Sequence, residues 1–152
     1  MADAPRMNKI RFPVSHDSVE TLWATRVDVD RYKLDSIPIF VYGVSWEDIV
    51  EVVPAEGEIL EYVRLIEKSG NRTVRVVFET CRNDDGPAER VLGGLRDLGC
   101  TYEGMQPRTV AVNVPPQVPL ETVAEFLSDQ RELQWEYADP TYEEITANLR
   151  WP

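Results

Sequence analysis

The hydrophobic positions along the chain follow two periods, and the change between them falls in the middle of the sequence. From Glu20 the period is two. Trp23, Thr25 and Val27 share one face, with Arg26 and Asp28 opposite, as in a strand whose side chains alternate. Asp30-Arg31 reads as a hairpin tip leading into an extended run over residues 32–37. Residues 39–44 are an unbroken apolar run with the length of a strand buried on both faces, and residues 49–53 are a second short strand. Pro38 cannot donate to a ladder and belongs at an edge, a bulge or a strand start. Gly43 is expected to set the turn between the two apolar halves. Glu56-Gly57-Glu58 predicts a turn and residues 59–68 a long strand. Ser69-Gly70-Asn71 predicts a further turn, giving a hairpin into residues 73–80. Short strands at this spacing predict a small barrel or a curled antiparallel sheet over residues 20–70. Residues 1–19, with Pro5, Pro13 and little periodicity, read as an N-terminal tail.

In the back half the helical period enters. Val74, Val76 and Phe78 still alternate, but Pro87 suits the first turn of a helix. Ala88, Val91, Leu92, Leu95 and Leu98 then follow helical spacing up to a stop at Gly99. Gly93 and Gly94 inside that helix each cost about 1 kcal/mol against alanine, which a close approach of the helix backbone to the sheet would justify. Residues 100–103 read as a strand. Residues 109–114 are another, with Val110, Val112 and Val114 on one face and Pro115-Pro116 ending it. Leu120, Val123, Ala124 and Leu127 mark a second amphipathic helix, and Leu133, Trp135 and Tyr137 align on a last strand. The order over residues 73–137 is β-α-β-β-α-β, the ferredoxin-like split βαβ pattern. The expected fold is therefore α+β: an antiparallel β-rich half joined to a ferredoxin-like half over residues 71–140. A C-terminal helix or tail follows over residues 141–152.

Three groups of residues carry a family resemblance. They are Glu20-Thr21-Leu22-Trp23, Arg31-Tyr32-Lys33-Leu34-Asp35-Ser36-Ile37-Pro38 and Val41-Tyr42-Gly43-Val44-Ser45. With Val63-Arg64, Glu67 to Gly70, Thr73 to Val76, Leu98-Gly99-Cys100 and residues 110–116, the chain resembles a bacterial family known as domain of unknown function 4265. The resemblance runs to Trp135-Glu136-Tyr137 and implies no activity and no site residues. The segment after Pro140 is longer than the family pattern.

Charge changes the picture more than composition does. The 152 residues include 27 acids and 16 bases, a formal net charge of -11. No overall basic footprint is available to neutralise phosphates, which tells against nucleic acid and anionic membrane partners. The acids are also segregated. Residues 47–61 hold six acids and no base, and residues 121–152 hold eight against Arg131 and Arg150 alone, so each region stands at -6 and the remainder at +1. Aromatics lie in both: Trp46 in the first, and Trp135, Tyr137, Tyr142 and Trp151 in the second.

Candidate chemistry is sparse. His16, the one histidine, could pair with Asp17 or Glu20, but a surface histidine is the simpler reading. Cys81 precedes a helix start, where a thiolate can be reactive, yet no second histidine exists to serve as its base. Asn83-Asp84-Asp85-Gly86 lacks the ligand spacing of a calcium loop and reads as turn chemistry. No phosphate-binding glycine motif, zinc spacing or C-x-x-C pair occurs, so no catalytic residue, cofactor or metal is expected. No apolar run approaches a membrane span, and the reduced-thiol, leaderless pattern predicts the cytoplasm.

Acids flanking aromatics suit a steered interface with a basic protein. The expected function is therefore a non-catalytic protein-interaction module, most concretely an immunity- or antitoxin-type inhibitor of a basic toxin or enzyme. Its expected contacts are Trp46, Glu47, Asp48, Glu51, Glu56, Glu58, Glu132, Glu136, Tyr142 and Glu143, centred on Trp46-Glu47-Asp48. The alternative is a small-ligand-sensing or regulatory domain. The plainer account of the same features is that Trp46 and Trp135 are core and the acids solvate their elements.

Overall fold

Alternation of apolar and polar side chains begins earlier than residue 20 and closes the first part of the chain on itself. The structure, a computed structural model, describes residues 7–80, 86–104 and 107–149. Strands β1 (Met7–Ser15), β2 (Ser18–Asp28), β3 (Arg31–Leu34), β4 (Ile49–Pro54) and β5 (Ile59–Glu67) form a closed barrel in that order. Neighbours are antiparallel except at the seam, where β1 runs parallel to β5 with Ile10 opposite Leu60. Closure leaves the barrel no free edge.

The interior of the barrel holds Ile10, Phe12, Leu22, Ala24, Tyr32, Leu34, Val50 and Val52. Phe12 stacks on Tyr62 with ring centroids 4.5 Å apart. One expectation changes here. Residues 7–15 are a barrel strand rather than tail: Ile10 and Phe12 keep the period, and Pro13 sits beside the register shift at 13–15. Trp23, Thr25 and Val27 do share a face, but Trp23 and Val27 are exposed while Leu22 and Ala24 point inward.

The second half builds a four-stranded sheet in the order β7-β8-β6-β9, from β6 (Arg72–Phe78), β7 (Thr101–Gly104), β8 (Thr109–Val114) and β9 (Leu133–Asp139). All neighbouring pairs are antiparallel. Helices α1 (Pro87–Leu98) and α2 (Leu120–Ser128) cover one face. Val74, Val76, Val110, Val112 and Val114 meet Val91, Leu92, Leu95, Val123 and Leu127 there. Gly99, with φ 106°, ends α1 in the left-handed conformation. The room made by Gly94 is for α2 rather than the sheet: a Cβ there would collide with the Phe126 ring. Helix α3 (Tyr142–Leu149) follows a cis Asp139–Pro140 bond. Residues 69–71 do not close a hairpin, because β5 ends in the barrel and β6 begins in the other sheet.

Residues 35–48 are the main departure from expectation. They form no strand and lie as an irregular strap between the barrel and the second sheet. Val41 and Val44 enter the barrel core, whereas Ile37 and Ile39 pack on Ala111 of β8 with Phe40 and Trp46 beside them. Pro38 and the positive φ of Gly43 (86°) remove two ladder positions. The strap's amides find their acceptors elsewhere.

Candidate functional site

One acid on the inner face of β2 shapes the strap. Glu20 lies in phase with Leu22 and Ala24, so its carboxylate points inward and is buried. It accepts N–H bonds from Ile39 at 2.8 Å, Phe40 at 2.9 Å and Val41 at 3.0 Å. Three backbone donors replace the water a buried carboxylate has lost. The Ile37 N–H donates to Glu103 at 3.3 Å. Burial pushes the Glu103 carboxyl above its ordinary value, although that hydrogen bond opposes the rise.

The far end of the strap is clasped by charge. Asp48 is 0% exposed. It accepts the Ser45 N–H at 2.9 Å and the Ser69 N–H at 2.8 Å, and it pairs with Lys68 Nζ at 2.6 Å. Lys68 also pairs with Asp139 at the end of β9. Ser45 Oγ donates to Asp139 at 2.6 Å and shares a hydrogen bond of 2.7 Å with Thr73 Oγ1. Ser69 Oγ and Asn71 Nδ2 both donate to the Trp46 carbonyl. Burial disfavours the Lys68 charge, but the hydrogen bonds and charges of Asp139 and Asp48 outweigh it and hold the ammonium above 10.5. Lys68 therefore keeps its proton, and Ser45 has no accessible surface. These groups join the strap, β5, β6 and β9, and do not present a nucleophile with its base.

Above this clasp lies an open cleft. Arg75, nearly buried on β6, donates to Glu136 Oε1 at 2.6 Å and stacks 4.8 Å from the centre of the Tyr42 ring. Tyr42 Oη donates to the same Glu136 oxygen at 2.8 Å. That hydrogen bond, reinforced by burial, raises the Tyr42 phenol above its ordinary value against the opposing charge of Arg75. Burial and then the charge of Glu121 raise Tyr137. Both phenols stay protonated at neutral pH. Tyr42, Glu136, Tyr137, Thr141, Tyr142 and Glu143 line a cleft of about 280 Å³. Thr141 Oγ1 accepts the Glu144 N–H at 3.3 Å and donates to the Glu144 carboxylate at 3.2 Å. This cap fixes the start of α3 and so places Tyr142 and Glu143 on the rim. Tyr142 is 63% exposed.

The expected contact residues separate into different places. Glu136, Tyr142 and Glu143 meet in this cleft, joined by Tyr42 from the strap. Asp48, expected on a contact surface, is fully buried because its carboxylate ties two backbone amides and Lys68. Trp46 is half-buried against Ile37, Ile39 and Ala111. Glu47 lies 4.0 Å from Lys33, and Glu51 pairs with Arg64 at 3.3 Å. Glu56 and Glu58 are exposed on the β4–β5 turn, and Glu132 borders a separate hollow with Pro87 and Arg90. His16 is exposed in the β1–β2 turn, while Glu20 serves the strap. Cys81, Asn83, Asp84, Asp85, Arg150 and Trp151 lie outside the described residues. Among the described residues, no group of three or more His, Cys, Asp or Glu is placed to hold a metal ion, and no helix is long and apolar enough to cross a membrane.

The model of the family described as domain of unknown function (DUF4265) matches residues 20–137, and the chain belongs to that family. A solved structure described as a hypothetical protein from Neisseria gonorrhoeae has the same fold. It is 17% identical with a TM-score of 0.70, over 91% of this chain and 96% of that one. No curated protein matches the chain. The family match stops at Tyr137, so it includes Tyr42 and Glu136 and leaves Thr141, Tyr142 and Glu143 beyond it.

Proposed function

We propose that this member of the family is a non-catalytic protein-interaction module. In its most concrete form it is a cytoplasmic bacterial inhibitor of the immunity or antitoxin type, blocking a basic toxin or enzyme through an acidic face. The observation that carries the reading is the convergence of Tyr42, Glu136, Tyr137, Tyr142 and Glu143 on one cleft. The contact surface is accordingly moved from Trp46-Glu47-Asp48 to the second acidic region. Exposed aromatics beside carboxylates supply contact area and steering together. Tyr42 is already fixed by Arg75 and Glu136, so little ordering cost falls on binding.

The second reading is a small-ligand-sensing or regulatory domain. It draws on the half built from β6 to β9, which we read as ferredoxin-like from its β-α-β-β-α-β order and its two helices on one face. Units of that kind pair through their open sheet faces around small molecules. Here the strap packs on that face through Ile37 and Ile39, which weighs against such pairing. The cleft, at about 280 Å³, also falls just below the usual 300–1,000 Å³ of small-molecule sites.

Capture of the genomic neighbour's product by the full chain tests the first reading. Tyr142→Ala and Glu143→Lys alter exposed side chains and leave the Arg75–Glu136 pair intact. Each is expected to weaken the captured partner about tenfold or more, in the range of an interface hot spot, and Glu143→Lys is expected to flatten the salt dependence. Unchanged affinity in both variants sinks the acidic-face reading. A metabolite that raises the melting temperature of a stable dimer favours the second.

A further inference from the structure

We propose that the cleft receives the side chain of an arginine from the partner, held between tyrosine rings and carboxylates. This rests on the protein-binding reading above and names the group that such a partner must present. The molecule carries a template for the contact. Arg75 stacks on the Tyr42 ring while its guanidinium donates to Glu136, and Arg75 is not among the residues that line the cleft. Arg75 thus takes one place beside this ring and carboxylate, while Tyr42 and Glu136 also line a cleft that Arg75 does not.

The groups left over are suited to a second guanidinium. Both bonds to Glu136 fall on Oε1, and Oε2 has no hydrogen-bond partner among the described residues. The Glu143 carboxylate likewise has none there. Tyr137 and Tyr142 add two further rings to the walls. A planar guanidinium can stack on a ring and fork to a carboxylate at once, whereas an ammonium is a more strongly hydrated point charge. The size of the cleft matches one side chain better than a whole metabolite. The larger hollow of about 570 Å³ beside Lys9 and Trp23 is lined by Lys9 itself, whose ammonium already sits 5.0 Å from the Trp23 ring. It offers a cation no such place.

The test uses the full chain, ¹³C-labelled, with aromatic NMR spectra recorded during titration with N-acetyl-arginine amide. N-acetyl-citrulline amide serves as the neutral analogue of the same shape, and N-acetyl-lysine amide as the other cation. The arginine amide is expected to shift Tyr42, Tyr137 and Tyr142 with an apparent affinity roughly fivefold above that of the citrulline amide, the size of one exposed cation–π contact. Tyr142→Ala and Glu143→Gln, whose folds are checked in the same spectra, should each weaken it. Absent tyrosine shifts, equal citrulline shifts, lysine bound as tightly, or shifts that persist in both variants overturn the assignment. Loss of partner binding in Glu143→Lys without arginine-amide shifts removes the arginine proposal alone. Arginine-amide shifts with partner affinity unchanged remove the acidic-face reading and the partner as the source of the arginine, and leave the cleft as a guanidinium site alone.

Discussion

Removing the Lys68 ammonium would leave Asp48 and Asp139 sharing a site that holds no other cation among the described residues. Breaking a buried ion pair from one side typically costs 3–5 kcal/mol. Lys68 is 41% exposed along its side chain, so water softens the loss, and Lys68→Ala is expected to cost about 2–3 kcal/mol. The check is a lower urea midpoint at unchanged slope. The pH dependence follows from the same contacts. Lys68 has a raised value in the folded state, so its contribution is whole below the ordinary 10.5 and is lost as pH climbs through the raised value. Cys100, pushed by burial from 9.0 to about 11, and Tyr62, raised by burial, act in the same sense because the unfolded chain ionises first. Stability should therefore fall above about pH 9, and the gap between wild type and Lys68→Ala should narrow toward strongly alkaline pH. A gap that stays constant contradicts the clasp.

At the scale of elements, the adjacent glycines of α1 separate propensity from packing. Gly93 has nothing within 4 Å of a built Cβ, whereas Gly94 faces the Phe126 ring. Gly93→Ala is expected to stabilise by about 0.5–1 kcal/mol, the ordinary helix gain. Gly94→Ala receives the same gain but must push Phe126 aside, and overpacking of about 1–3 kcal/mol makes it net destabilising. Opposite shifts in melting temperature would confirm the pair; shifts of one sign would contradict it. The elements themselves were largely legible in the chain. Gly99 and Pro87 bracket α1, Val110-Val112-Val114 mark β8, and Glu56-Gly57-Glu58 turn β4 into β5. Residues 39–44 misled because composition alone cannot separate a buried strand from a buried strap. Their apolar side chains serve two different cores, and their amides bond a carboxylate some twenty residues away. The signal was present in Glu20, an acid in phase with Leu22 and Ala24. Its meaning depended on knowing which face of β2 points inward. The cleft was legible only as charge and aromatics in the last thirty residues, since Tyr42 reaches Glu136 across 94 positions.

For the whole molecule, two hydrophobic cores would ordinarily suggest two unfolding units. The strap bridges them, with Val41 and Val44 in the barrel core and Ile37 and Ile39 in a third, smaller cluster with Ala111 on the face of the second sheet away from its helices. The Lys68 clasp then ties the end of β5 to the end of β9. Calorimetry should therefore show one transition, with equal calorimetric and van't Hoff enthalpies. Two resolved peaks would mean that the strap holds less than its contacts imply.

The clasp also imposes an order in time. Ser45 and Asp139 lie 94 positions apart, and neither the Ser45 hydroxyl nor Lys68 can meet Asp139 until β9 has joined β6. A barrel formed from the first half of a growing chain would hold Asp48 and Lys68 together but lack Asp139. Its strap would have no sheet to lie on, leaving Ile37 and Ile39 open to water or to another chain. Distant pairings of this kind make folding slow and expose apolar surface while it proceeds. The protein's most vulnerable interval is thus the one between synthesis of the strap and arrival of its last strand.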